Sequence, residues 1–368
     1  MSDLIARRLK YARERAKWTQ AELARRFGFK DRQTLAAIEA GQRKLTADEL
    51  VRAVDIFNVD LDFFTDPLRL VGEGRFNWRA DKSTDHSSLQ SFEDKAGRWI
   101  AAYRRFSKRD QESVTTLKPR LPLTVRSSYE EARAAGESLV REWKLGAIPA
   151  LHLEKCLRER IGALVLHVDP PDVISGAACL LPELSTILVN RREPEGRRHY
   201  DLAHEAFHVL TWEQMPPAHA ESEIPRGGKG QRVEQLADNF ASALLMPEKT
   251  LFPKWRARDD MEIHNWLNET ATELLVTAVA LKWRLVQLGW LTKRDLPYIQ
   301  DGRLRANGRP GAQQVVPRLF SREFVESLHE AVLGGEISAR RTASLLDMSL
   351  HDLQDLFRDY DLPSPFEL

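Results

Sequence analysis

Only two cysteines, Cys156 and Cys179, occur in 368 residues. That is too few for a disulfide scaffold and fits a reducing cytosol, where both would be buried thiols. No run of about 18 apolar residues is present, so no membrane span is expected. The opening MSDLIARRLKYARERAKW lacks an apolar core and a small-residue cleavage site, and does not read as a secretory signal. The expectation is a cytoplasmic protein with no membrane partner. Net charge is nearly absent as well, at +1, which excludes a uniformly basic coat for nucleic acid. No internal repeat stands out. What is present is 42% hydrophobic and 30% charged residues, a soluble globular composition in a chain long enough for about two to four domains.

The charge is uneven. Residues 1–54 carry 13 Lys+Arg against 7 Asp+Glu, over a segment that reads as short helices. Thr19-Gln20-Ala21-Glu22 is a capping box opening a helix through Phe27; Gly28 turns the chain; a second helix runs from Asp31 to Ala40 and stops at Gly41. Thr46 caps a fourth helix, and Asp60 or Asp62 introduces a fifth. Helix, glycine turn, helix is the helix-turn-helix pattern. Through T-Q-A-E-L-A-R-R-F-G at 19–28 and A-I-E-A-G-Q-R at 37–43 the segment resembles the Cro/C1-type (XRE) family, with one extra residue between Gly28 and Ile38. Arg32, Gln33 and Thr34 open the second helix, where base-edge contacts to a double-stranded operator are made, and Arg43 and Lys44 suit phosphates. A homodimer reading two half-sites is expected. The plainer reading is a helical bundle for protein contact.

Residues 1–66 thus form one unit, an all-α DNA-binding domain. From 67 to 136 the texture is that of a connector, with Pro67, Gly72, Gly74, the loop-like DKSTDHSS at 81–88, an amphipathic helix at 89–106 and the proline-punctuated KPRLPLTVRSS at 118–128; flexibility or cleavage is expected here. Two helices follow, 129–144 and 149–161, then strand candidates at 163–168, 175–180 and 186–190. Two further helices, near 195–212 and 231–246, flank a loop rich in Pro and Gly at 216–230. The region 256–368 is mainly helical. Within it 335–357 gives two short helices with a tight join, either a second helix-turn-helix or a packing or dimerisation module. The fold class is α+β, mainly helical, with a small sheet in a central domain at 137–255.

The chemistry concentrates in His204-Glu205-Ala206-Phe207-His208. Two imidazoles four apart on a helix project from one face, about 6 Å apart, and can share one zinc ion. By chance H-E-x-x-H arises roughly 0.02 times in a chain of this composition. The glutamate between the histidines is placed to take a proton from an attacking water. A catalytic zinc takes three protein ligands and keeps one position open, so a carboxylate on another helix is expected, and Glu234 opens such a helix. Asp238, one turn on, can accept the second ring N–H of a ligating histidine. Tyr200, His219 and Asn190 are candidates to stabilise the oxyanion. The basic stretch RREPEGRR at 191–198 reads as a solvated loop.

DLAHEAFHVL at 201–210 and EQLADNFASALLMP at 234–247 resemble the ImmA/IrrE family of zinc metallo-endopeptidases, over about residues 140–250. The resemblance implies a zincin-like domain with His204, His208 and Glu234 as zinc ligands and Glu205 as catalytic base, manganese serving in vitro. Relatives fused to an XRE domain are implicated in cleaving XRE-type repressors that govern stress-response or mobile-element genes. The expectation is a DNA-binding regulator that cleaves a repressor-like or toxin protein encoded nearby, or its own connector. The alternative is a non-proteolytic regulator or antitoxin whose peptidase-like domain senses a ligand or binds a partner. Many relatives carry a smaller residue where Phe207 stands, so a narrowed site is expected.

Overall fold

A computed structural model describes residues 2–80, 85–107, 120–171, 173–221, 224, 227–258, 261–305 and 315–367. Parts of the expected connector (81–84 and 108–119) and of the 216–230 loop (222–223 and 225–226) lie outside the described residues. The chain is α+β and mainly helical. Five helices come first: α1 (Ser2–Arg15), α2 (Gln20–Phe27), α3 (Arg32–Glu39), α4 (Ala47–Phe57) and α5 (Asp62–Thr65). They enclose a core of Leu9, Leu23, Phe27, Leu35, Ile38 and Phe64. The Thr19–Glu22 capping box closes in both directions, Glu22 N donating to Thr19 Oγ1 at 3.2 Å and Thr19 N to Glu22 Oε2 at 2.7 Å. Such a cap is worth about 1 kcal/mol. Gly28 follows in the left-handed region at φ +73°, and Asp31 caps α3.

The first correction concerns the segment after α5. Residues 75–80, read as connector, form strand β1 (Arg75–Ala80), and α6 (His86–Phe106) follows. Next come α7 (Tyr129–Trp143), α8 (Leu153–Ile161), β2 (Leu164–Val168), β3 (Ile174–Leu180), β4 (Ser185–Asn190), α9 (Glu195–Thr211), α10 (Lys229–Leu245), α11 (Glu248–Arg256), α12 (Ile263–Leu274), α13 (Ala278–Gln287), α14 (Arg322–Leu333), α15 (Ala339–Leu346) and α16 (Leu350–Asp359). The sheet has four strands in the order β1-β3-β4-β2, antiparallel except for the β4–β2 pair. Aromatic side chains alternating at Phe76 and Trp78 drive β1 onto it: both are buried with Phe92, Trp99 and Phe320.

The sheet divides two cores. On one face Val165, Ile187 and Val189 pack with α7 to α10, α12 and α13. On the other, Leu164, Leu166, Ala177 and Leu188 pack with α6 and the C-terminal helices α14 to α16. Gly136 lets α7 press onto α10, since a Cβ there would stand 2.6 Å from Phe240 O. Arg8 ties the first helix to α5 and to the turn leading into β1. Its fully buried guanidinium donates to the carbonyls of Phe63 at 3.0 Å and Asp66 at 2.9 Å, and to that of Arg69.

Helices α15 and α16 do make a tight helix–turn–helix, with Asp347 in the left-handed region at φ +58° and Ser349 capping α16. They pack under α6 and α14 as part of the second core. No helix among the described residues is long and apolar enough to cross a membrane.

Candidate functional site

Helix α9 carries His204, Glu205 and His208, each at most 1% exposed, and α10 crosses it with Glu234 and Asp238. Three acceptor atoms converge: His204 Nε2 and His208 Nε2 are 3.1 Å apart, and Glu234 Oε2 lies 3.1 Å from the first and 3.2 Å from the second. An ion bound tetrahedrally at about 2.0–2.1 Å separates its donors by roughly 3.3–3.4 Å, so the triangle is the right size for zinc. Asp238 Oδ1 stands 3.1 Å from His204 Nδ1. A proton shared there leaves Nε2 as a lone pair facing its two neighbours. Three lone pairs pointing at one buried point repel unless a cation joins them.

The electrostatics agree with that geometry. Burial and Arg79 oppose a charge on His204, yet hydrogen bonds from its ring to Asp238, Glu221 and Glu234 hold its pKa well above the ordinary histidine value. Burial opposes the Glu234 carboxylate too, but His208 and His204 keep its pKa far below the usual range. The pocket holds positive charge and favours it. Glu205 differs: burial pushes its carboxyl up to about 7 against the pull of His208 and His204. A carboxyl near neutrality is suited to receive and return a proton. Neither of its oxygens has a hydrogen-bond partner within the described chain.

Three residues of this cluster were invisible to sequence reasoning. Asp201, one turn before His204, is fully buried and meets Arg197 at 3.2 Å. Glu221, from the 216–230 loop, brings Oε1 to 3.5 Å from His204 Nε2. Arg79, from β1, reaches Asp201 at 3.5 Å and Glu221 and Asp238 at 3.9 Å. A period-two aromatic pattern at 76 and 78 was the only signal that could have placed Arg79 on a strand facing the site.

The three expected oxyanion donors are engaged elsewhere. Tyr200 Oη donates to Asp238 O at 3.2 Å and Oδ1 at 3.3 Å. His219 Nε2 pairs with Glu93 Oε2 at 2.6 Å, and Asn190 Nδ2 donates to Ile174 O at 3.0 Å. Phe207 does not narrow the centre: it is fully buried in the core, 5.5 Å from the Phe240 ring. Cys179 is buried, which raises its pKa. Cys156, half-buried rather than fully so, lies with Sγ 3.8 Å from Trp143 O.

On the N-terminal domain Arg32 and Gln33 are exposed at the start of α3, while Thr34 is half-buried and its Oγ1 is 3.3 Å from the N-cap Asp31. Arg43 is held by Glu49 through bonds of 2.7 and 3.2 Å, whereas Lys44 is exposed. Helix α3 is fixed from behind, because Glu39 accepts from Arg13 at 2.6 and 3.0 Å and from Gln20 at 2.9 Å.

Two family models match. Residues 9–64 match one described as a helix-turn-helix, and residues 158–286 match one described as an IrrE N-terminal-like domain. The second span begins after β1 and α6 and ends before α14. No curated protein and no solved structure matches the chain.

Proposed function

From a chain that joins a helix-turn-helix domain to an IrrE N-terminal-like domain, we propose a DNA-binding transcriptional regulator that is also a zinc metallo-endopeptidase. Its substrate is a repressor-like protein encoded nearby, in a stress-response or mobile-element circuit. The observation that carries the reading is the convergence of His204, His208 and Glu234 on one buried point, with Glu205 beside them.

In this reading the three acceptors hold the metal, which when bound supplies Lewis acidity at the scissile carbonyl. Glu205 takes a proton from the attacking water and gives it to the leaving amine. Its withdrawal from solvent sets the proton affinity both transfers need. Asp238 fixes the His204 tautomer, and Tyr200 holds Asp238 in turn. At the other end Arg32 and Gln33 read base edges, Lys44 contacts phosphate, and a homodimer spans two half-sites.

The test incubates wild type and Glu205→Gln with zinc and the repressor-like proteins encoded nearby, reading products by intact mass and bound metal by elemental analysis. A discrete cut made by wild type alone, with equal metal in both proteins, is the expected result. Equal metal with no cut of any partner overturns the peptidase part and leaves a regulator with a metal-binding domain.

A further inference from the structure

Arg79 lies outside the segment that matches the peptidase-like family, on the strand that comes after the DNA-binding domain. Its place in the sheet aims it at the chemistry. Arg79 pairs with Gly176 across the β1–β3 ladder, and cross-strand partners share a face. That glycine lies beneath α9: a Cβ at position 176 would stand at ordinary contact distance from Glu205, 3.8 Å from Cγ and 4.0 Å from Oε1, and only 2.9 Å from Leu188 O. Arg79 therefore lies on the sheet face that α9 covers, with its guanidinium among Asp201, Glu221 and Asp238.

Its hydrogen bonding is looser than that of Arg191. Arg191 spends its guanidinium on Asp169 at 2.9 and 2.8 Å. Arg79 stands 3.5 to 3.9 Å from its three acids, and its buried Nη1 has no hydrogen-bond partner within the described chain. The nearby Glu205 Oε1 and Oε2 are enclosed and unbonded in the same way, and Glu205 and Glu221 each offer an oxygen within 4.8 Å of the His204 ring. An unpaired donor and unpaired acceptors thus gather around His204 without closing on each other.

We propose that Arg79 is a catalytic residue, the donor to the oxygen that becomes negative when a peptide carbonyl is attacked. The proposal rests on the metallopeptidase reading above. As the water oxygen bonds to the carbonyl carbon, the π pair moves onto the carbonyl oxygen and Arg79 Nη1–H donates to it. When the C–N bond breaks, the pair returns to remake the carbonyl and the amine leaves with the proton held by Glu205. Arg79 keeps its own proton throughout. Removing one such donor lowers turnover by about 10²–10³-fold.

The test loads wild type, Arg79→Lys and Arg79→Met with cobalt(II), measures metal stoichiometry and unfolding midpoint, and titrates inorganic phosphate, a tetrahedral anion, by the cobalt visible spectrum. All three proteins should bind one metal, with a lower midpoint in Arg79→Met, which leaves the buried Asp201 with Arg197 as its charge partner. Phosphate should bind Arg79→Met about tenfold or more weakly than wild type, with Arg79→Lys between them. Equal phosphate affinity in wild type and Arg79→Met, or no phosphate response in wild type, overturns the proposal while leaving the metal centre standing. So does loss of metal from both variants, which would make Arg79 a brace for the ligand set. Wild type that takes up no cobalt overturns the centre and the proposal together.

Discussion

At the His–Glu cluster the two histidines and Glu205 are buried, and most of the side chains are held by another: His204 by Asp238, Asp238 by Tyr200, and Glu234 between two imidazoles. On α3 the arrangement is inverted. The inner face is locked by Glu39, Arg13 and Gln20, while Arg32 and Gln33 stand out in solvent. Bond-making chemistry needs donors fixed before the substrate arrives, whereas groove reading needs a rigid helix bearing side chains that conform to bases. Substitution at the centre should therefore disturb metal binding and leave DNA alone, and substitution on α3 should do the reverse.

The largest effect expected is at Glu234. Its replacement by Ala should weaken zinc binding by more than about 100-fold, beyond what loss of a partner outside the ligand set costs, with operator affinity unchanged; competition against a chelator measures the first and fluorescence anisotropy the second. A parallel loss of DNA binding would break the separation of the two regions. Next, Asp238→Asn should cost about 10- to 100-fold in zinc affinity by freeing the His204 tautomer, visible in the same chelator assay; an unchanged constant would place Asp238 outside the working set. Arg32→Ala should cost about 1–3 kcal/mol in operator binding and relax base preference at one position. Its unfolding midpoint should match wild type, and a lowered midpoint would show that Arg32 serves the fold. Smallest of all, Lys44→Ala should weaken binding evenly across sequences and reduce the slope of log affinity against log salt by about 1. A base-dependent loss would contradict a phosphate role for Lys44.

A second pair of regions shows what could be read from sequence and what could not. Helices α2–α3 and α15–α16 are each signalled by a capped start and a left-handed residue at the turn, Gly28 or Asp347. Local backbone chemistry fixes such joins within a few residues, so both are legible. Their faces differ: α16 presents Asp352 and Asp359 to solvent, with Asp355 half-exposed, which repels phosphate, and its inner side Leu353, Leu356 and Phe357 joins the second core. The strands at 164–168, 174–180 and 185–190 and the helices bearing His204 and Glu234 are legible for a related reason, since period and motif spacing are local. Strand β1 escapes because its partner β3 lies about 100 residues away in sequence, and no local pattern encodes that pairing. Arg79 and Glu221 escape with it, being ordinary charges until the sheet and the loop bring them to His204.

Strand β1 and α6 belong by sequence to the front of the chain, yet their partners lie in its rear. A single break between Phe106 and Leu121 would leave the two pieces joined by the six-residue β1–β3 ladder, by α6 against α14 and α15, and by Arg79 among the acids of the centre. The product would be a split protein whose halves complement each other, still carrying its DNA-reading helix on the same body. Self-nicking at that point changes covalent connectivity without shedding cargo. In the function proposed above, the output would then lie in the cutting of another polypeptide.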